Sequence, residues 1–240
     1  MTDRNTMQLN EYRPYLIVYV LGAIAFLLVK GLRPEFPFSF VIKAVPALSL
    51  GVAAIFATDL EVRERIALVL GALLCGAGDV ILDIDRVRLF VPGLVAFLLG
   101  HVGFLVFFTF RFERRRERSV GALPVLVLAV GMAVILVPRL GSLLVPVIVY
   151  LLVITAMTLS AVFSRTHWVA ALGAFIFMVS DALLASAKFV FAGIPSPMVT
   201  IPVYFIGLGT LGFGVLLLRS RPGNRKPRSD NFRKESQYAP

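Results

Sequence analysis

Long apolar blocks follow one another along almost the whole chain, separated by short polar stretches. Blocks able to cross about 30 Å of hydrocarbon number eight, at 14–32, 36–58, 66–83, 89–110, 120–138, 143–163, 168–190 and 199–218. They predict an all-α integral membrane protein with eight transmembrane helices. A polar segment, 1–13, precedes the transmembrane domain of 14–218, and a basic tail, 219–240, follows it. Three spans reach full length only by including a charge. The uncharged runs before Asp79 (66–78) and before Asp181 (168–180) are 13 residues each, and the run after Lys43 is 15. Each falls short of the roughly 17 residues that a span needs, which places Lys43, Asp79 and Asp181 below the membrane surface.

Composition agrees with this pattern. The chain has 58% hydrophobic and only 16% charged residues, with a mean hydropathy of +0.88, whereas soluble domains carry about 25% charged residues. Apolar runs leave no room for a separate soluble domain. The placement of charge tests the span count. With eight spans both termini share one side, which carries 17 Lys and Arg against 6 on the other. The richer side is expected to be cytoplasmic, and the expected location is the inner membrane of a bacterial cell. The N-terminus lacks the apolar core and cleavage site of a signal peptide, so the first span is expected to stay as an anchor. The tail is polar, basic and rich in Pro, Ser and Asn, and is expected to be a disordered topology anchor. Its charge needs no nucleic-acid partner, since orientation in the membrane already explains it. The single cysteine, Cys75, excludes an internal disulfide and disfavours a thiolate metal cluster.

Carboxylates inside such spans are the informative feature. With the N-terminus inside, Asp79 lies about 6 Å and Lys43 about 10 Å from the outer surface, at 1.5 Å per helical residue. Asp181 and His101 lie nearer the middle of their spans, and Tyr204 lies in the outer part of the last one. A charge at bilayer depth costs at least ~2.5–3.5 kcal/mol, so it faces a partner or a cavity. Lys43 alone is explained as well by structural pairing as by function. One lysine for two aspartates leaves a carboxylate uncompensated, however, and this points to a polar cavity lined by Asp79 and Asp181. The segments "GALLCGAGD" and "GAFIFMVSD" repeat Gly-Ala, apolar residues and Asp at equal spacing, four spans apart, as two four-helix halves would.

Other residues carry less. Asp83 and Asp85, beside Arg86 and Arg88, are expected in a solvated loop, Lys188 and His167 at the surface. Gly71, Gly76, Gly78, Gly100 and Gly103 are expected to bring helices close together. One intramembrane histidine does not make a catalytic zinc site, and no serine sits in a G-x-S-x-G elbow. No metal or cofactor is expected.

"GDVIL" ending the third span, "FLLGHVGF" in the fourth and "GAFIFMVSDALLASAKF" in the seventh resemble the YhhN-like lysoplasmalogenase family, with "KAVP" in the second span a looser match. The last span departs from the family pattern, with Leu208 where a glutamine is usual. The resemblance implies an eight-span enzyme that cleaves the vinyl ether of a lysophospholipid into a fatty aldehyde and a glycerophospho-base. Such cleavage needs a proton donor and a carboxylate, the division of labour found in glycosidases. The expected catalytic pair is Asp181 as acid and Asp79 as base or cation stabiliser, or the two reversed. Lys43, His101 and Tyr204 are expected to bind substrate, with Lys43 or His101 holding the phosphate or orienting water. The alternative is a small proton-coupled transporter or lipid carrier using the same aspartates. Pro46 and Pro146 lie near span ends rather than at the midplane breaks of transporters, which weighs against it.

Overall fold

The computed structural model describes residues 2–113, 116–191, 194 and 196–217; the expected basic tail lies outside them. Among the described residues the structure is all helical, apart from turns and one isolated bridge between Phe112 and Ser164. Eight α-helices follow in order: α1 (Thr2–Leu32), α2 (Ser39–Ile55), α3 (Val62–Ile84), α4 (Phe90–Phe110), α5 (Ala122–Leu136), α6 (Leu144–Val162), α7 (Trp168–Phe189) and α8 (Pro197–Leu217). The polar segment set apart by sequence forms the first turns of α1.

Seven of these helices are long and apolar enough to cross a membrane. The exception, α2, has 17 residues and a length of about 25 Å. It is shorter than its apolar block because the chain turns between Arg33 and Ser39 before the helix begins. A helix closes its own backbone hydrogen bonds, and this is what lets apolar segments persist in lipid. The outer faces are correspondingly apolar, as with the exposed Leu123, Val127, Val130 and Val134 on α5. A belt of this kind is a contact surface for hydrocarbon.

Neighbouring helices fix the arrangement. α3 packs between α2 and α4, α4 also meets α6, and α8 packs against α7, α1 and α2. α5 is peripheral, with only Val125, Met132 and Leu136 buried. Glycines set the closest approaches. A Cβ on Gly103 would lie 2.8 Å from the Gly71 nitrogen, and one on Gly100 would lie 2.7 Å from Cys75 Sγ, so α3 and α4 meet nearly backbone to backbone. A Cβ on Gly207 would lie 2.6 Å from the Phe177 nitrogen, and one on Gly173 would overlap the backbone of Leu211; α7 and α8 are joined in the same way.

Polar contacts pin the helix ends. Glu61 and Glu64 form a capping box at the start of α3. Glu64 also receives the guanidinium of Arg111 at 2.9 and 2.8 Å, which ties the start of α3 to the end of α4. Arg118 donates to the carbonyls of Ser164 and Thr166 at 2.6 and 3.0 Å.

At the other end of α3, Asp85 accepts from the backbone N–H of Val87 and Arg88, both at 2.9 Å. These N–H groups, Arg88 first, hold its carboxyl below the usual range. Asp85 is thus the turn residue that sequence predicts. Asp83 is not: it lies in the last turn of α3, its side chain only 3% exposed, paired with Lys30 at 3.1 Å and accepting from Ser39 Oγ at 2.5 Å. The helix runs past it to Ile84, and the end of α1 and the start of α2 close over the carboxylate. The expected solvated position is corrected to a buried ion pair.

Candidate functional site

Asp79 projects from the middle of the α2–α3–α4 group and is 1% exposed. Lys43 of α2 brings its ammonium to 3.2 Å from Oδ1, off the line of a hydrogen bond, so the contact is an ion pair. Lys43 also donates to the Asp79 carbonyl at 3.5 Å. Tyr204 of α8 donates its hydroxyl to Oδ2 at 2.5 Å. Phe97 and Phe177 pack around the Tyr204 ring, with centroids at 5.7 and 5.2 Å. Asp79 is therefore charge-balanced and held from two directions.

Asp181, on α7, has different surroundings. Tyr150 of α6 donates to its Oδ2 at 2.6 Å. His101 of α4, fully buried, places Nε2 3.5 Å from the same oxygen. The other ring nitrogen, Nδ1, lies 2.6 Å from the Phe97 carbonyl. A carbonyl only accepts, so Nδ1 carries a hydrogen, while Nε2 faces Asp181. No lysine or arginine among the described residues pairs with Asp181. One carboxyl group thus lies beside a lysine and a tyrosine, the other beside a tyrosine and a histidine.

Both aspartates line one cavity, together with Lys43, Tyr204, Ser180 and Arg86. A second cavity is walled by apolar side chains including Leu94, Leu128, Met132, Leu136 and Phe189. Asp181 belongs to both, as do Leu82, Phe97 and Leu184. The carboxyl group at 181 stands where an apolar compartment gives way to a polar one.

Of the five residues that sequence singles out, four line the polar cavity. His101 is not among the lining residues and reaches them through Asp181. Sequence reasoning passed over Tyr150, although a hydroxyl inside "VPVIVYLLVITA" is the same kind of signal as an aspartate inside an apolar run. It also placed Arg86 in a solvated loop, whereas the side chain lines the cavity.

The fold defines a helical integral membrane protein in which two aspartates line one cavity. The chain belongs to the YhhN family, whose model matches residues 38–215. It is 35% identical over 136 residues to proteins named lysoplasmalogenase from Mycobacterium bovis and Mycobacterium tuberculosis, in alignments covering 53% of this chain and 52% of each relative. The chain thus spans about half the length of the curated relatives it matches. No solved structure matches the chain.

Proposed function

We propose that this protein hydrolyses the vinyl ether of lysoplasmalogen-type lysolipids within the membrane. The family and its named relatives supply the reaction class. The observation that carries the reading is the position of Asp181 on the wall shared by the apolar and polar cavities. A vinyl ether lies at the same boundary in the substrate, between the hydrocarbon chain and the glycerophosphate.

In this mechanism the carboxyl proton of Asp181 passes to the β-carbon of the vinyl ether, leaving an oxocarbenium ion at the adjacent carbon. Asp79, kept as a carboxylate by Lys43, takes a proton from water as its oxygen bonds to that carbon. The hemiacetal collapses when Asp181 takes its hydroxyl proton and protonated Asp79 returns one to the departing glycerol oxygen. One water is consumed, aldehyde and glycerophospho-base are released, and both aspartates are restored. This is the acid and base partnership of glycosidases applied to an alkenyl ether. Lys43 and Tyr204 hold Asp79 and meet the glycerol oxygens, while His101 and Tyr150 orient Asp181.

The same reading keeps eight spans, α2 included, as two four-helix halves with one catalytic aspartate each. Both termini lie on the cytoplasmic side, where the Lys and Arg excess falls, and the site is reached laterally from the outer leaflet.

The test is aldehyde release from lysoplasmenylethanolamine and lysoplasmenylcholine by purified protein in detergent. Aldehyde at an enzymatic rate is expected. A monodisperse protein that releases none from either lipid would end the hydrolase reading. Tyr150→Phe is expected to lower kcat by about 10- to 100-fold, because a hydrogen bond to an ionised group contributes ~1.5–3 kcal/mol and Asp181 passes through its carboxylate form in the cycle. An unchanged kcat would remove Tyr150 from the centre.

A further inference from the structure

The substrate carries a phosphodiester, and its negative charge calls for a cation. Lys43, the intramembrane cation of the site, already answers Asp79 at 3.2 Å. Lys30 answers Asp83 at 3.1 Å. Arg88, 88% exposed, faces Asp85 at 3.8 Å, and Lys188 lies over the Phe90 ring at 4.9 Å. Arg86 differs from all of these. Its side chain is half-buried and lines the polar cavity with both aspartates. It makes no hydrogen bond or ion pair with any described residue, and the carboxylate that influences it, Asp83, is already engaged by Lys30 and Ser39. Burial holds its guanidinium below the ordinary value, as befits a cation without a close counter-charge.

We propose that Arg86 is the phosphate anchor of the site, its guanidinium forking onto the phosphodiester of a lysophospholipid whose alkenyl chain fills the apolar cavity. A planar guanidinium matches two phosphate oxygens in a way an ammonium does not. The position suits the task. Arg86 lies two residues past Ile84, the last residue of α3, where the helix leaves the apolar layer. Asp79 lies seven residues before Arg86 in the chain, and the two side chains line the same cavity. The inference rests on the hydrolase reading above, and the measurements separate the two.

Wild type, Arg86→Gln, Arg86→Lys and Arg88→Gln would be compared on lysoplasmenylethanolamine and on the phosphate-free 1-alkenylglycerol. Arg86→Gln is expected to raise KM about 10- to 100-fold for the phospholipid, the loss typical of a charge-assisted hydrogen-bond pair. KM for the alkenylglycerol should stay as in wild type. Arg86→Lys should recover part of the loss, and Arg88→Gln should change neither substrate. Equal losses on both substrates, or no loss on the phospholipid, would overturn the assignment. Equilibrium binding of 1-acyl-lysophosphatidylethanolamine and of monoacylglycerol, which have no vinyl ether to cleave, gives a readout independent of turnover. A wild-type preference for the phosphorylated ligand that disappears in Arg86→Gln supports the anchor even if no aldehyde is ever released, in which case only the hydrolase reading falls. The same preference in both proteins rejects it. Inorganic phosphate, which lacks the chain, should not compete with the lysolipid at millimolar concentration; competition would assign Arg86 to a free anion instead.

Discussion

Asp181→Asn is expected to abolish aldehyde release, with a fall of ~10³-fold or more in kcat, and Asp79→Asn to do the same. General acid or base catalysis contributes about 10²–10⁴-fold per group, and in the proposed mechanism every turnover uses both groups. The substitutions are close to isosteric, so the comparison isolates the proton. In the Asp181→Asn variant the new amide oxygen would still accept from Tyr150, and α7 would keep its packing, so a folded but inert protein is the expected product. The two variants should differ in stability. Asp79→Asn leaves the Lys43 ammonium buried without a counter-charge, whereas Asp181→Asn removes no ion pair with a lysine or arginine. Removing one partner of a buried pair costs ~3–5 kcal/mol, so Asp79→Asn should unfold at a distinctly lower temperature in detergent. Either variant retaining activity within tenfold of wild type would take that residue out of the chemistry.

The second large effect concerns the seam between α7 and α8. Gly173→Val should prevent those helices from docking, because even the Cβ of the new side chain would overlap the Leu211 backbone. Overpacking into side chains costs ~1–3 kcal/mol, and here the obstacle is backbone, which has no other rotamer to adopt. A fall in apparent melting temperature of about 10 °C or more, or loss of the monodisperse peak on gel filtration, is the expected result. Activity should fall with it, since α7 carries Asp181 and α8 carries Tyr204. Gly131→Val, on the peripheral α5, provides the contrast: a Cβ there meets nothing within 4 Å, and the melting temperature should stay near that of wild type. Equal stability for the two variants would mean that the seam does not hold the fold together.

Much of this architecture is legible in the chain itself. Blocks such as 89–110 and 168–190 predict α4 and α7 to within a residue at each end, because an apolar run in lipid has one way to satisfy its backbone. Charges stranded inside short runs point to Lys43, Asp79 and Asp181 for an equally direct reason, the cost of burying them. What periodicity cannot supply is the partner. Asp83 reads as a loop residue until α1 and α2 are seen to close over it, and no spacing along the sequence joins it to Lys30 or Ser39. Tyr150 looks like one more aromatic residue in an apolar helix until α6 comes beside α7. The glycines of α3 and α4 stand out because they cluster in sequence, whereas Gly173 and Gly207 are spread over two helices and reveal their role only in contact.

The pairing of Lys43 with Asp79 also bears on how the chain enters a bilayer during synthesis. α2 is short, about 25 Å by its 17 residues, and presented alone to the insertion machinery it would carry an unmatched ammonium worth ~2.5–3.5 kcal/mol against partitioning. α3 brings the matching carboxylate, and the connection between the two helices is only a few residues, from Phe56 to Glu61. The two are therefore suited to enter lipid together as a helical hairpin, with the ion pair already formed. On this account the carboxylate of Asp79, beyond the chemistry proposed for it, also makes α2 insertable.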